Sequence, residues 1–182
     1  MQSNHTDISE LGAPRAALDR LVPQLYDELL AVAGRQLGRE YGPRSIQPAT
    51  LVHEAYLRLA RHVPAQLDRT QILALAAHSM RQVLVDRARE RNAEKRGGEW
   101  ARVTLTDGVA TTEIEPTAFL ALNDAIERLD PRQRQVVECR FFAGLDEVET
   151  ATALGVTRRT VQRDWIKARA WLGRWLHENN AQ

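Results

Sequence analysis

The sequence predicts an all-α chain of two small helical domains joined by a linker, and three observations carry that expectation. Apolar residues recur at helical spacing through long segments, with almost no alternating strand pattern. Gly and Pro fall mostly at the ends of these segments, where they punctuate helices. Between Glu99 and Glu115 the periodicity lapses, which sets a domain at about 15–97, a linker at 98–116 and a second domain at about 117–178. A length of 182 residues suits two such units, and 43% hydrophobic residues are enough to give each a core.

The first helical region runs from about Pro14 to Tyr41, with Leu18, Leu21, Val22, Leu25, Leu29, Val32 and Leu37 on one face and a break allowed at Pro23. Gly42 to Gln47 is a turn. Pro48 suits the first turn of a helix that continues to about Arg61. Its inner face is Val52, Ala55, Tyr56 and Leu59; Thr50, His53, Glu54, Arg58 and Arg61 point outward. After a loop around His62 to Asp68, the longest helix spans about Thr70 to Arg96 and stops at Gly97-Gly98. Its first half is apolar and packs; its second half carries Arg87, Arg89, Arg91, Lys95 and Arg96 and can protrude. Four helices complete the chain, at about Pro116–Arg128, Pro131–Phe142, Asp146–Leu154 and Thr157–Glu178.

The last two helices have the grammar of a helix-turn-helix. Asp146 and Glu149 form a capping-box pair, Gly155 suits a left-handed corner, and Thr157 can cap the second helix. Val161, Trp165, Ala168 and Leu172 make the buried stripe of that helix. Thr157, Arg158, Arg159, Thr160, Gln162, Arg163 and Lys167 are its candidate DNA-binding residues. From Thr157 to Leu176 there are six basic residues against one Asp, and they begin right after the corner, where recognition helices meet bases and phosphates. That position favours DNA contact over a merely solvated face.

A net charge of +1 conceals segregation. Arg81 to Arg102 holds seven basic and four acidic side chains; Val103 to Pro131 holds one basic and six acidic. Two basic blocks with an acidic spacer favour two separate contacts with a polyanion. Cys139 is the single cysteine, which excludes an internal disulfide and suits a small core side chain. His53, His62 and His78 lack paired ligand spacing, and no phosphate loop or nucleophile elbow occurs, so neither metal, cofactor nor catalytic residues are expected. Trp165, Trp171 and Trp175 read as core and cap of the small domain. The N-terminus has no targeting pattern, and Ile72 to Ala77 is too short an apolar run to cross a bilayer, so a soluble cytoplasmic protein without membrane contact is expected.

Ile126-Glu127-Arg128-Leu129-Asp130-Pro131-Arg132-Gln133-Arg134-Gln135-Val136-Val137, continuing through Phe141, Gly144-Leu145, Ala151, Leu154-Gly155-Val156 and Thr160-Val161 to Trp165, resembles the fourth conserved region of bacterial RNA polymerase sigma factors of the extracytoplasmic-function (ECF) class. Thr50-Leu51-Val52-His53-Glu54-Ala55-Tyr56-Leu57-Arg58-Leu59 is similar to the family's polymerase-docking helix, and Val83-Leu84-Val85-Asp86-Arg87-Ala88-Arg89 to its −10-reading helix. The resemblance implies a region 2-like bundle followed by a region 4-like helix-turn-helix, acting by binding. It implies docking on the core polymerase (β′ clamp and β flap) through Leu51, His53, Glu54 and Arg58, with the second domain on the −35 element. The −10 element would fall to Arg81, Arg87, Arg89, Arg91, Lys95 and Arg96, aided by the loop near Pro64–Arg69. An anti-sigma factor is a further partner of the kind the family uses.

One departure stands out. Relatives usually carry several carboxylates around the docking helix, whereas Arg44 to Glu54 retains Glu54 alone. The resemblance to a kinase-linked branch with this deficit implies that a Ser/Thr kinase switches the protein on at Thr50. The alternative is that Thr50 is an ordinary exposed helix-start residue and that apolar contacts plus Glu54 suffice for docking. Two other functions compete: a conventional helix-turn-helix regulator that acts without polymerase, and a helical adaptor whose basic blocks merely solvate. The first lacks a sensor-domain pattern; the second predicts little salt dependence of nucleic-acid binding.

Overall fold

The computed structural model describes residues 18–38, 46–61, 67–97 and 116–179. Every regular element among them is helical: α1 (Tyr26–Leu37), α2 (Pro48–Leu59), α3 (Arg69–Gly97), α4 (Pro116–Glu127), α5 (Pro131–Val137), a π-helical segment (Glu138–Ala143), α6 (Glu147–Leu154) and α7 (Arg158–Asn179). The expected break at Pro23 is present. Residues 18–21 make one helical turn, residues 22–25 a tight turn, and α1 starts afresh. The expected linker around Trp100 and most of the turn at Gly42 to Gln47 lie outside the described residues.

Each boundary has a local cause. Pro48 opens α2 and Pro131 opens α5, where a missing N–H costs nothing. Asp130 caps α5 by accepting from the Arg132 backbone N–H. At α6 the capping box forms in full: Asp146 accepts from Val148 and Glu149, and Glu149 accepts from the Asp146 N–H at 2.9 Å. Gly155 turns the corner at φ 63°, and Thr157 Oγ1 accepts from the Thr160 N–H at 3.2 Å to start α7.

The helix expected over Pro131–Phe142 is not uniform. From Glu138 it widens to π-helix, and Gly144 closes it at φ 74° with its N–H on the Cys139 carbonyl. Glu138, Cys139, Phe142 and Ala143 of this segment are buried. Burial also pushes the Cys139 thiol up to about 12, with the Glu138 charge adding to the effect, so it is an inert core group.

α3 is the axis of the molecule. It packs against α1 and α2 on one side and against α4, the π segment and α6 on the other. A single cluster joins Leu29, Val32, Leu51, Ile72, Met80 and Leu84 to Phe119, Ile126, Phe142 and Leu145. Burial along α3 extends to Val85 and Ala88, one turn beyond the apolar half that the sequence marks out. A smaller cluster of Val136, Ala151 and Val161, with Leu154, Val156 and Trp165 against it, ties α5, α6 and α7 together.

Candidate nucleic-acid interface

The first turns of α7 stand out from the fold. Val161 and Ala168 are fully buried, and Trp165 and Leu172 pack on the core beside them, so the opposite faces turn to solvent. Thr157, Arg158, Arg159, Gln162, Arg163 and Lys167 are all exposed there; Thr160 is half-buried with its hydroxyl 3.0 Å from that of Thr157. The candidate residues therefore lie together at the start of one helix, as the spacing predicts. Arg140 and Arg169 lie over the Trp165 ring at 5.3 and 5.8 Å, and Trp171 stacks on Trp175 with Arg128 against it; Trp165 and Trp171 also pack against the main core cluster.

Two acids that are not among the candidate residues also shape this surface. Asp164 is almost completely buried amid the basic run. It takes Arg132 Nε at 2.5 Å and Arg163 Nε at 3.2 Å, and these bonds, Arg132's first, hold its carboxyl below the usual range. This pins α5 to α7. Glu147, at the start of α6, accepts from Gln162 Nε2 at 2.8 Å and lies 3.7 Å from Arg158 and 3.8 Å from Arg140. The signal for Asp164 was its sign within a basic stretch; for Glu147 only its place in the first turn of the preceding helix.

The second basic block is arranged differently, and three expectations are corrected. Arg81, named for the −10 element, has no exposed surface. Its guanidinium donates to Glu138 at 2.6 Å, to Glu127 at 2.9 Å and to Asn123, so in this arrangement it joins the two halves and cannot touch DNA. Glu138 also lies 2.9 Å from His78 Nδ1; burial alone would raise its carboxyl, but His78 and Arg81 together hold it below the usual range. Leu51, named for polymerase docking, is likewise fully buried, because it shares the inner face of α2 with Val52 and Ala55. Arg69, from the candidate loop, is held between Glu28 and Glu149, so it is not free for a base; residues 62–66 of that loop lie outside the described residues.

Further along α3 the basic residues turn outward but find carboxylates. Arg87 donates to Glu54 at 2.5 Å, Arg58 meets Asp86 at 2.8 Å, and Arg89 lies 3.8 Å from Asp86. Two docking candidates are thus paired with the long helix. Arg89 is exposed and Arg91 half-buried, while the side chains of Lys95 and Arg96 lie outside the described residues. On α2, His53, Arg58 and Thr50 are exposed, and Leu57 adds an unexpected apolar contact point beside them. No group of acidic, His and Cys side chains that could hold a metal occurs among the described residues, and no described helix is long and apolar enough to cross a membrane.

Fold and surface together define a helix-turn-helix DNA-binding protein. The model of the ECF sigma factor family matches residues 9–178, and the chain belongs to that family. It is an alternative RNA polymerase sigma factor: it binds the polymerase core and promoter DNA and directs promoter-specific transcription initiation. Among solved structures, CnrH in complex with the cytosolic domain of CnrY is similar over 93% of this chain and 94% of that one, at 18% identity and a TM-score of 0.41. No curated protein matches.

Proposed function

We propose that the chain works in the cytoplasm, without catalysis of its own, as a two-domain clamp on promoter DNA. The carrying observation is the exposed cluster Arg158, Arg159, Gln162 and Arg163 at the start of a capped helix that follows a glycine corner. Residues 117–178 place this helix on the −35 element. Residues 15–97 dock on the polymerase through the outer face of α2 (His53, Glu54, Leu57, Arg58) and meet the −10 element with Arg87, Arg89, Arg91, Lys95 and Arg96.

The two elements are named about 25 base pairs apart, roughly 85 Å of duplex at 3.4 Å per pair. A compact chain of this length has a radius of gyration of only about 16 Å. The closed arrangement therefore cannot reach both, and the halves separate on the polymerase. Residues 98–115 can span at most about 60 Å, enough for that separation. The contacts to be broken are the polar set around Arg81 and the apolar cluster that joins Met80 and Leu84 to Phe119, Ile126 and Phe142, so the separation must be driven by binding to the polymerase.

Thr50 is the proposed switch. It is exposed in the first turn of α2, a turn that carries no acidic residue. A phosphate there adds about −1.5 to −2 charges at the positive end of the helix and supplies what the docking face lacks. The test is in vitro transcription with core polymerase. Phosphorylated protein should initiate and bind core more tightly, and Thr50→Ala should be silent with the kinase present. Equal activity with and without phosphate removes the switch; no association with core in either state removes the docking reading as well.

A further inference from the structure

Glu147 is held rather than loose. Arg140 packs its guanidinium over Trp165, and its Nε and Nη1 are buried without a hydrogen-bond partner, so its charge is met by the ring face and by Glu147 at 3.8 Å. Arg158 approaches the other carboxylate oxygen at 3.7 Å, and Gln162 Nε2 donates to that same oxygen at 2.8 Å. An ionised carboxylate can only accept, so the Gln162 amide has one permitted orientation: its nitrogen towards α6 and its carbonyl oxygen away from it. A free glutamine on a recognition helix can turn its amide over and exchange donor for acceptor; this one is held against doing so.

With Glu147 on the N–H anti to the carbonyl, the syn N–H and the carbonyl oxygen remain side by side along the outer edge of the amide. The pair matches the N6 donor and N7 acceptor that adenine shows in the major groove, the contact glutamine makes best. Guanine would set its O6 acceptor against the carbonyl oxygen, and cytosine and thymine offer only one of the two complementary groups to an amide held this way. The negative charge at the DNA surface costs affinity, so this is discrimination obtained at the expense of binding strength. We propose that Glu147 is a positioning residue that fixes the Gln162 amide and thereby sets a preference for adenine at one position of the −35 element. The inference rests on the reading of α7 as the −35 helix.

The test uses full-length protein reconstituted with core polymerase, selecting from a promoter library randomised across both elements. The wild type, Glu147→Gln, Gln162→Ala and Arg159→Ala are compared. A bidentate contact is worth roughly 5- to 150-fold between right and wrong base, so the wild type should enrich adenine at one −35 position by that order. Gln162→Ala should flatten that position. Glu147→Gln, a near-isosteric change, should flatten the same position to within about threefold, leave the other preferences intact and bind the library no more weakly. Loss of the charge beside Arg140 should lower the variant's thermal stability slightly while the unfolding transition stays cooperative, separating positioning from a folding defect. A Glu147→Gln profile that keeps the adenine preference, or that loses all −35 preferences together, overturns the proposal while leaving the −35 reading in place. If Arg159→Ala and Gln162→Ala both keep the full −35 profile, α7 does not read that element and both readings fall.

Discussion

α3 and α7 are both long, arginine-rich helices, and they use their arginines in opposite ways. On α7 the side chains of Arg158, Arg159 and Arg163 are exposed, with only their near edges on carboxylates: Arg158 lies 3.7 Å from Glu147, and Arg163 Nε donates to Asp164 at 3.2 Å. On α3, Arg81 is enclosed by Glu138, Glu127 and Asn123, while Arg69 and Arg87 are each held by carboxylates of other helices. The difference lies in what packs beside each helix. α3 is sandwiched between two halves of the molecule, so a charge on it must find a partner or stay out of the fold. α7 has one face on the core and the others open.

Replacing one arginine of each kind should break the comparison most sharply. Arg81→Ala leaves Glu138 buried with one partner fewer, and should cost about 3 kcal/mol in urea unfolding. Arg159→Ala should change stability by less than about 0.5 kcal/mol, yet cost holoenzyme about 1–3 kcal/mol of promoter affinity. Equal stability losses would mean that the two arginines do not differ in role.

Gly144 and Gly155 give a second, smaller contrast. Both have positive φ, so alanine at either should cost about 1–2 kcal/mol. At Gly144 an added methyl would also lie 2.7 Å from the Arg35 guanidinium, which donates to the Ala143 carbonyl at 2.5 Å; at Gly155 it meets nothing within 4 Å. Thermal denaturation should therefore show Gly144→Ala as the more damaging, and Arg35→Ala should erase the difference.

Acid should act on the α5–α7 joint. The Asp164 carboxyl has a folded-state pKa below its unfolded value of about 3.9. Its contribution is thus fully present above that value and is lost as pH falls through the lower, folded one. Arg132→Ala should lower stability at neutral pH and flatten the acid limb, with the two unfolding curves converging as the medium becomes more acidic. The smallest effect is expected at Lys167, exposed on α7. Lys167→Ala should reduce the salt slope of holoenzyme binding by about one unit, with base preferences unchanged.

Helix periodicity, the two prolines at Pro48 and Pro131, the Asp146–Glu149 capping box and the Gly155 corner are local features, and each is legible in the chain order. They settle where the helices start and stop, and they settle that Arg158, Arg159, Gln162 and Arg163 share an outward surface. The π segment was not legible: no local cue marks it, and Glu138 and Phe142 within it meet Arg81 of α3, more than fifty residues away in the chain. Leu51 differs for a smaller reason: it lies four residues before Ala55 and so shares the inner face of α2, although it falls within the run that resembles a docking helix.

By itself, then, the order of residues determined most of the helices, their capped ends and the exposed face of the recognition helix, since these depend on neighbours three or four positions apart. Tertiary structure alone decided that Arg81 closes the two halves together, that Asp164 bolts α5 to α7, and that Glu147 aims Gln162. A charged side chain takes its role from the opposite charge brought within a few ångströms of it, and that neighbour is chosen by the packing of whole helices.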